Sequence, residues 1–125
     1  MKTGEIFYWV TDKAKGHLSR PKYHIFICES DWKEDNTFLF ISSDDYFKDF
    51  RITKADWADM PKEESFIGGS PVFYSDLELR TDTISPSGIL TTKCMRRLAL
   101  HVQDSEVMER RHISRVVAAL HVACK

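Results

Sequence analysis

The segment GHLSRPKYHIFIC, residues 16–28, changes from a polar, turn-prone run to an apolar strand at a single Arg-Pro step. Pro21 fixes its own φ angle and confines the residue before it to extended backbone. Aromatic and β-branched residues then dominate, which predicts a strand from Lys22 to Cys28. Side chains alternate across a strand. One face of this strand therefore carries Tyr23, Ile25 and Ile27, and the other carries Lys22, His24 and Phe26.

Strand composition recurs on both sides of this segment. The residues EIFYWVT lack strict polar alternation, so we expect that first strand to be covered on both faces. The connection after the fourth predicted strand, Phe50–Thr53, is expected to hold a helical turn near Ala55–Asp59, which Pro61 ends. The further predicted strands are Glu5–Thr11, Thr37–Ser43, Phe50–Thr53 and Pro71–Thr81.

The last third of the chain has helical periodicity. LTTKCMRRLALHV begins with a threonine cap and places Met95, Leu98, Ala99 and Val102 on one stripe. A second helix is predicted in QDSEVMERRHISRVVAALHVA, with Asp104 or Ser105 as its cap. Its buried stripe is Ile113, Val116, Val117 and Leu120. Because strands come first and helices last, we predict an α+β fold, with a small antiparallel sheet or barrel and appended helices.

Length and charge restrict the functional classes. The 125 residues suit one domain, residues 1–125, and the net charge of −1 means that a nucleic acid could bind only through a local basic patch. The three cysteines match no zinc spacing and predict reduced thiols. No apolar run is long enough for a signal peptide or a membrane span, so we expect a soluble, cytoplasmic protein with no membrane partner.

Three polar residues at strand ends are candidates for a phosphate site. The guanidinium of Arg20, held at the mouth of a strand, presents a fork that suits phosphate, although a solvated loop arginine is the ordinary interpretation. Ser42 and Ser43 end an apolar strand, where a hydroxyl could donate to a phosphate oxygen or simply cap a turn.

Other polar residues could extend this site. His17 and His24 flank Arg20 in sequence and could do acid/base work, or could be surface and core histidines. Arg80 could pair with Glu78 or join Arg20 in a basic patch. No histidine or cysteine spacing suits a metal, so no metal or cofactor is expected. The helical arginines are predicted to lie on solvated faces: Arg96, Arg97, Arg110, Arg111 and Arg115.

Five short motifs, taken in order, resemble the MazF/PemK-like toxin family over most of the chain. They are a glycine-acidic-strand opening (GEIFYWV), a loop that ends in Arg-Pro before an apolar strand (KGHLSRPKYHIFI), a strand that ends in a hydroxyl residue (FLFISS), a strand with an IRT-type tripeptide (LELRT), and a G-x-L-T step before a helix (GILTTK).

This resemblance implies an SH3-like β-barrel with one or two C-terminal helices, usually as a homodimer. It implies a metal-independent endoribonuclease that cleaves single-stranded RNA and is neutralised by a cognate antitoxin. Arg20 and either Ser42 or Ser43 would act at the scissile phosphate, leaving a 2′,3′-cyclic phosphate. The residues then expected to bind RNA around that phosphate are His17, Lys22, His24 and Arg80.

Two alternatives remain open at this point. The first is an SH3-like module without catalytic activity that binds RNA or a protein, using the aromatic residues of YWV, Trp32 and Trp57 for stacking. The second is an inhibitor of another macromolecular target, such as a topoisomerase.

Overall fold

An antiparallel sheet with its two long helices on one side forms the fold. The computed structural model describes residues 1–13, 19–31, 34–46, 48–79 and 85–125, and within them the elements are as follows. The strands are β1 (Glu5–Thr11), β2 (Arg20–Cys28), β3 (Asn36–Ser42), β4 (Phe50–Thr53), β5 (Glu64–Ile67), β6 (Val72–Tyr74) and β7 (Gly88–Ile89). The helices are α1 (Asp76–Leu79), α2 (Thr92–Gln103) and α3 (Arg110–Ala123).

The sheet has the strand order β4-β5-β3-β2-β1-β7, with β6 also paired to β3, and it curls into a half-barrel. Strands β5 and β6 occupy successive parts of the same edge of β3: β5 pairs with Ile41 and Ser42, and β6 pairs with Asn36–Phe38. Between them the segment Gly68–Pro71 leaves the sheet after one hydrogen bond of 2.9 Å from Gly68 N to Phe40 O. This break opens the edge of β3 beside Phe40.

Both faces of the sheet carry packed residues, but the expected cover of both faces of β1 is not complete, because Tyr8 and Val10 are exposed. One face packs against α2 and α3 through aliphatic residues that include Ile25, Leu39, Leu98 and Val116. The opposite face carries an aromatic cluster, which we call the aromatic face. Its buried members are Phe7, Phe26, Phe38 and Tyr74, with Trp9, Val72 and Leu79 packed against them.

The predicted strands agree with the structure except near β5 and β6. Strands β1 and β4 have the predicted bounds, β2 begins two residues earlier at Arg20, and β3 is displaced by one residue. Strands β5 and β7 were not predicted. The predicted strand Pro71–Thr81 was wrong over Asp76–Leu79, which is helical, and its last two residues lie outside the described residues. Ser75 and Glu78 form a capping box, with Ser75 N donating to Glu78 Oε1 (2.8 Å) and Glu78 N donating to Ser75 Oγ (3.1 Å). That box starts α1.

The two long helices are confirmed, with one change of boundary. Thr91 caps α2 by accepting a hydrogen bond of 3.1 Å from Cys94 N. Helix α3 begins at Arg110 and not after Asp104 or Ser105. The Ser105 hydroxyl instead accepts from Val107 N and Met108 N, which closes a separate turn. The expected helical turn at Ala55–Asp59 is a series of turns and bends with no assigned helix.

Three of the helical arginines form ion pairs with acidic side chains of other segments and are not simply solvated. Arg97 pairs with the buried carboxylate of Asp56. Arg111 lies 3.0 Å from Glu34, and Arg115 lies 3.3 Å from Asp31 and donates to Thr37 Oγ1 at 2.9 Å. These contacts attach α2 to the segment after β4, and α3 to the β2–β3 connection.

Candidate functional site

The first residues of β2 lie beside the last residues of β3. Tyr23 pairs with Ile41 in the antiparallel register, which brings Lys22 next to Ser42. Lys22 Nζ donates a hydrogen bond of 2.7 Å to Ser42 Oγ. Arg20 precedes Lys22 by two residues on the same face of the strand. The Arg-Pro step and the strand-end serine, which are 20 residues or more apart in sequence, are therefore brought together.

The guanidinium of Arg20 is incompletely bonded within the protein. Its Nε atom is buried and has no hydrogen-bond partner. A buried donor without a partner costs about 1–3 kcal/mol. The fork of N–H donors in a guanidinium suits a phosphate or a carboxylate.

Lys22 occupies a partly buried position between these groups. Burial is the main reason that the pKa of its ammonium group is lowered, and the positive charge of Arg20 lowers it further. Nζ also lies 5.3 Å from the centre of the Phe40 ring. Two cations and a hydroxyl thus share one small region, which can hold a group of negative charge.

Two clefts meet at Arg20, Lys22, Ser42 and Tyr46. The tyrosine cleft, of about 290 Å³, is also lined by Tyr8, Tyr23 and Ser43. The glycine cleft, of about 380 Å³, is also lined by Lys13, Phe40, Gly68, Gly69, Pro71 and Val107. The glycine cleft occupies the break between β5 and β6. A ligand that places its charge at the shared residues could extend into either cleft.

His24 lies beneath this site and not on its surface. It is fully buried, with Nδ1 2.9 Å from Lys22 O and Nε2 2.8 Å from Tyr74 Oη. Its ring stacks on Trp9 with a centroid distance of 3.7 Å. Burial lowers the pKa of His24 to about 4, so the ring is neutral at pH 7. His24 therefore corresponds to the core histidine of the sequence analysis, and its placement does not fit direct contact with RNA.

The structure describes two of the remaining predicted residues, Ser43 and Trp57. Ser43 is exposed and lines the tyrosine cleft. His17, Arg80 and Trp32 lie outside the described residues. Trp57 is buried, and its Nε1 donates to Ser87 O at 3.3 Å. It therefore forms part of the floor of the tyrosine cleft and is not an exposed stacking surface.

Sequence reasoning found one accessible aromatic ring of the site and missed the other: Tyr8 belongs to the segment YWV, a candidate for stacking, whereas Tyr46 was not predicted. Tyr8 and Tyr46 are 48% and 56% exposed, and Tyr8 lies against Tyr23 at a centroid distance of 4.4 Å. On β1, Tyr8 points to the opposite face of the strand from Phe7 and Trp9. Tyr46 stands in an irregular segment after β3, where no periodicity fixes a direction.

The described part of the chain contains no group of three or more His, Cys, Asp or Glu side chains placed to hold a metal ion. No helix in the same part is long and apolar enough to cross a bilayer. No protein-family model, curated protein or solved structure matches the chain.

Proposed function

We propose that the protein is a toxin-type endoribonuclease that cleaves single-stranded RNA at the junction of the two clefts. The observation that carries the proposal is the convergence of Arg20, Lys22 and Ser42 at the paired ends of β2 and β3, with Arg20 Nε buried and without a partner. A phosphate is a group that this donor set can bind through charge-assisted hydrogen bonds. The resemblance of the motif order to the MazF/PemK-like toxin family favours RNA cleavage among phosphate-binding functions, although the LELRT segment is helical as far as Leu79 and not a strand.

In the proposed reaction, the ribose 2′-oxygen attacks the adjacent phosphorus and leaves a 2′,3′-cyclic phosphate. Arg20 stabilises the negative charge that increases on the phosphorane. The hydroxyl of Ser42 or Ser43 donates to a non-bridging oxygen and orients the phosphate. Since the nucleophile belongs to the ribose, DNA is not a substrate. The proposed reaction uses no metal ion.

Accessible tyrosines beside the phosphate position support a single-stranded substrate. Unpaired bases stack on aromatic rings, and each such contact contributes about 1–3 kcal/mol. Tyr8 and Tyr46 are exposed beside Arg20 in the tyrosine cleft.

The proposal also includes an SH3-like closure of the curled sheet, a homodimer and a cognate antitoxin that blocks this surface.

The test is a cleavage assay with purified protein on single-stranded RNA and on DNA of the same sequence, with and without EDTA. We expect RNA fragments with 2′,3′-cyclic phosphate ends, identified by mass spectrometry, and no effect of EDTA. Arg20→Ala should abolish cleavage, whereas Arg110→Ala, at an exposed position at the start of α3, should not. Undiminished cleavage by Arg20→Ala would remove the proposed site.

A binding module without catalytic activity is the second candidate. The exposed rings of Tyr8 and Tyr46 beside two cations favour it equally, because stacking and phosphate contacts suffice for binding. The same assay separates the two: RNA that is bound but remains intact, with binding lost in Arg20→Ala, indicates the module.

A further inference from the structure

Cleavage of RNA requires a proton for the leaving oxygen. When the bond between phosphorus and the 5′-oxygen breaks, the alkoxide that departs is strongly basic, and a positioned acid lowers the barrier by about 10²- to 10⁴-fold. Arginine does not serve readily as this acid, because its guanidinium keeps its proton in proteins. A different donor must therefore stand beside the phosphate.

Lys22 has the position that this role requires. Its Nζ is held 2.7 Å from Ser42 Oγ, and the side chain lines both clefts where they meet. An ammonium group has three N–H donors, of which Ser42 accepts one. Because the serine oxygen accepts from Lys22, its own hydrogen is free to point to a phosphate oxygen.

We propose that Lys22 is the general acid that protonates the leaving 5′-oxygen, an inference that rests on the proposed function. The 2′-hydroxyl loses its proton to water as the 2′-oxygen bonds to phosphorus. The bond from phosphorus to the 5′-oxygen then breaks, and that oxygen takes a proton from the Lys22 ammonium. The resulting amine regains a proton from water, so atoms and charges balance over one turnover.

The electrostatic setting of Lys22 suits an acid. Burial and the charge of Arg20 lower its pKa, which makes the ammonium a stronger proton donor than an exposed lysine. Described titratable or charged groups surround it on several elements. They are Tyr8 on β1 and Lys13 after it, Arg20, Tyr23 and His24 on β2, Asp44, Tyr46 and Asp49 after β3, and Lys62 before β5.

The test compares two substrates. One is ordinary single-stranded RNA, and the other carries sulfur in place of the bridging 5′-oxygen at the cleaved bond, so that its thiolate leaves without protonation. We expect Lys22→Arg, which keeps the positive charge, to cleave ordinary RNA about 100-fold more slowly than the unmodified protein. It should cleave the sulfur substrate within about threefold of the unmodified protein.

Two variants serve as controls. Arg20→Lys should be impaired on both substrates, because phosphorane stabilisation is needed with either leaving group. Lys93→Arg, at an exposed position on α2, should match the unmodified protein on both. Circular dichroism and thermal unfolding verify that each variant is folded.

The pH profile gives a second readout. With ordinary RNA, the rate should fall as pH rises through the Lys22 pKa, and with the sulfur substrate this decline should be absent. Equal impairment of Lys22→Arg on both substrates, or full activity on ordinary RNA, would overturn the role of Lys22 while leaving the endoribonuclease intact. Absence of cleavage by the unmodified protein would overturn the proposed function itself.

Discussion

The Oη atom of Tyr74 lies 2.8 Å from Nε2 of His24, beneath the residues that begin β2. The same oxygen lies 2.7 Å from Oγ1 of Thr11. Tyr74 thus connects β6 to both β1 and β2, with which β6 forms no backbone pairs. Because His24 Nδ1 contacts the carbonyl of Lys22, this connection supports the backbone at the candidate site.

Removing the Tyr74 hydroxyl should destabilise the fold. Tyr74→Phe leaves the buried polar groups of His24 and Thr11 without this partner, which should lower the free energy of unfolding by about 1–3 kcal/mol. Urea denaturation measures the loss. Tyr46→Phe, at an exposed position, should change it by less than about 0.5 kcal/mol. Equal stability of the two variants would show that the Tyr74 hydroxyl does not contribute.

Acid should destabilise the protein through His24. Its pKa is about 4 in the fold, whereas an unfolded histidine has a pKa of about 6.5. The unfolded state therefore binds the proton first as pH falls. His24 favours folding fully above pH 6.5, and this stabilisation, about 3 kcal/mol in total, is lost between about pH 6.5 and pH 4.

Urea denaturation between pH 4.5 and pH 7.5 tests this window. His24→Gln lacks the titrating ring, while the carboxylates titrate in both proteins, so the difference between the two curves isolates His24. We expect the unmodified protein to lose more stability on acidification than His24→Gln. Parallel curves would contradict the lowered pKa.

The strands were predictable where composition is decisive. The segments EIFYWVT and FRIT became β1 and β4 with the predicted bounds, because β-branched and aromatic residues predominate there. The four residues of β5, ESFI, lie in a short segment between Pro61 and Gly68, and their composition does not indicate a strand. The strand forms because it pairs with β3. The capping box at Ser75 was present in the sequence, but the alternation of Leu77 and Leu79 with charged residues favoured a strand there.

The candidate site was predictable in part. Pro21 restricts Arg20, and this local signal located one end of the site. The contact of Lys22 with Ser42 depends on the register between β2 and β3, which a single sequence does not give. The buried state of His24 depends on Trp9 and Tyr74, which lie on two other strands. The glycine cleft likewise requires β5 and β6 to divide one edge of β3.

The carboxylate of Asp56 should be important for stability. It is buried, its Oδ2 accepts from Thr53 N at 3.0 Å, and its Oδ1 pairs with Arg97. Asp56→Ala should lower the free energy of unfolding by about 2 kcal/mol, since the Thr53 N–H loses its partner. Arg97→Ala should cost less, because the Arg97 side chain is half exposed. Asp59→Ala, at an exposed position, is the control in urea denaturation.

The two serines should contribute unequally to RNA cleavage. Ser42 contacts Lys22, whereas Ser43 is exposed in the tyrosine cleft. Ser42→Ala should slow cleavage about 100-fold, because it removes both a phosphate donor and the acceptor that positions Lys22. Ser43→Ala should slow it less than about tenfold. Single-turnover rates on one RNA give the comparison, and the reverse order would assign the phosphate contact to Ser43.

RNA binding should weaken as salt rises. For single strands, each neutralised phosphate contributes about −0.7 to the slope of log affinity against log salt concentration, because counterions are released. If Arg20 and Lys22 each neutralise one phosphate, they contribute about −1.4 together. Arg20→Ala should then make the slope less negative by about 0.7.

Fluorescence anisotropy with a labelled RNA measures both slopes. A 2′-deoxy substitution at the cleaved position prevents cleavage during the measurement. An unchanged slope in Arg20→Ala would show that Arg20 does not contact a phosphate in the complex, and a flat response of the unmodified protein would favour a protein partner at these clefts.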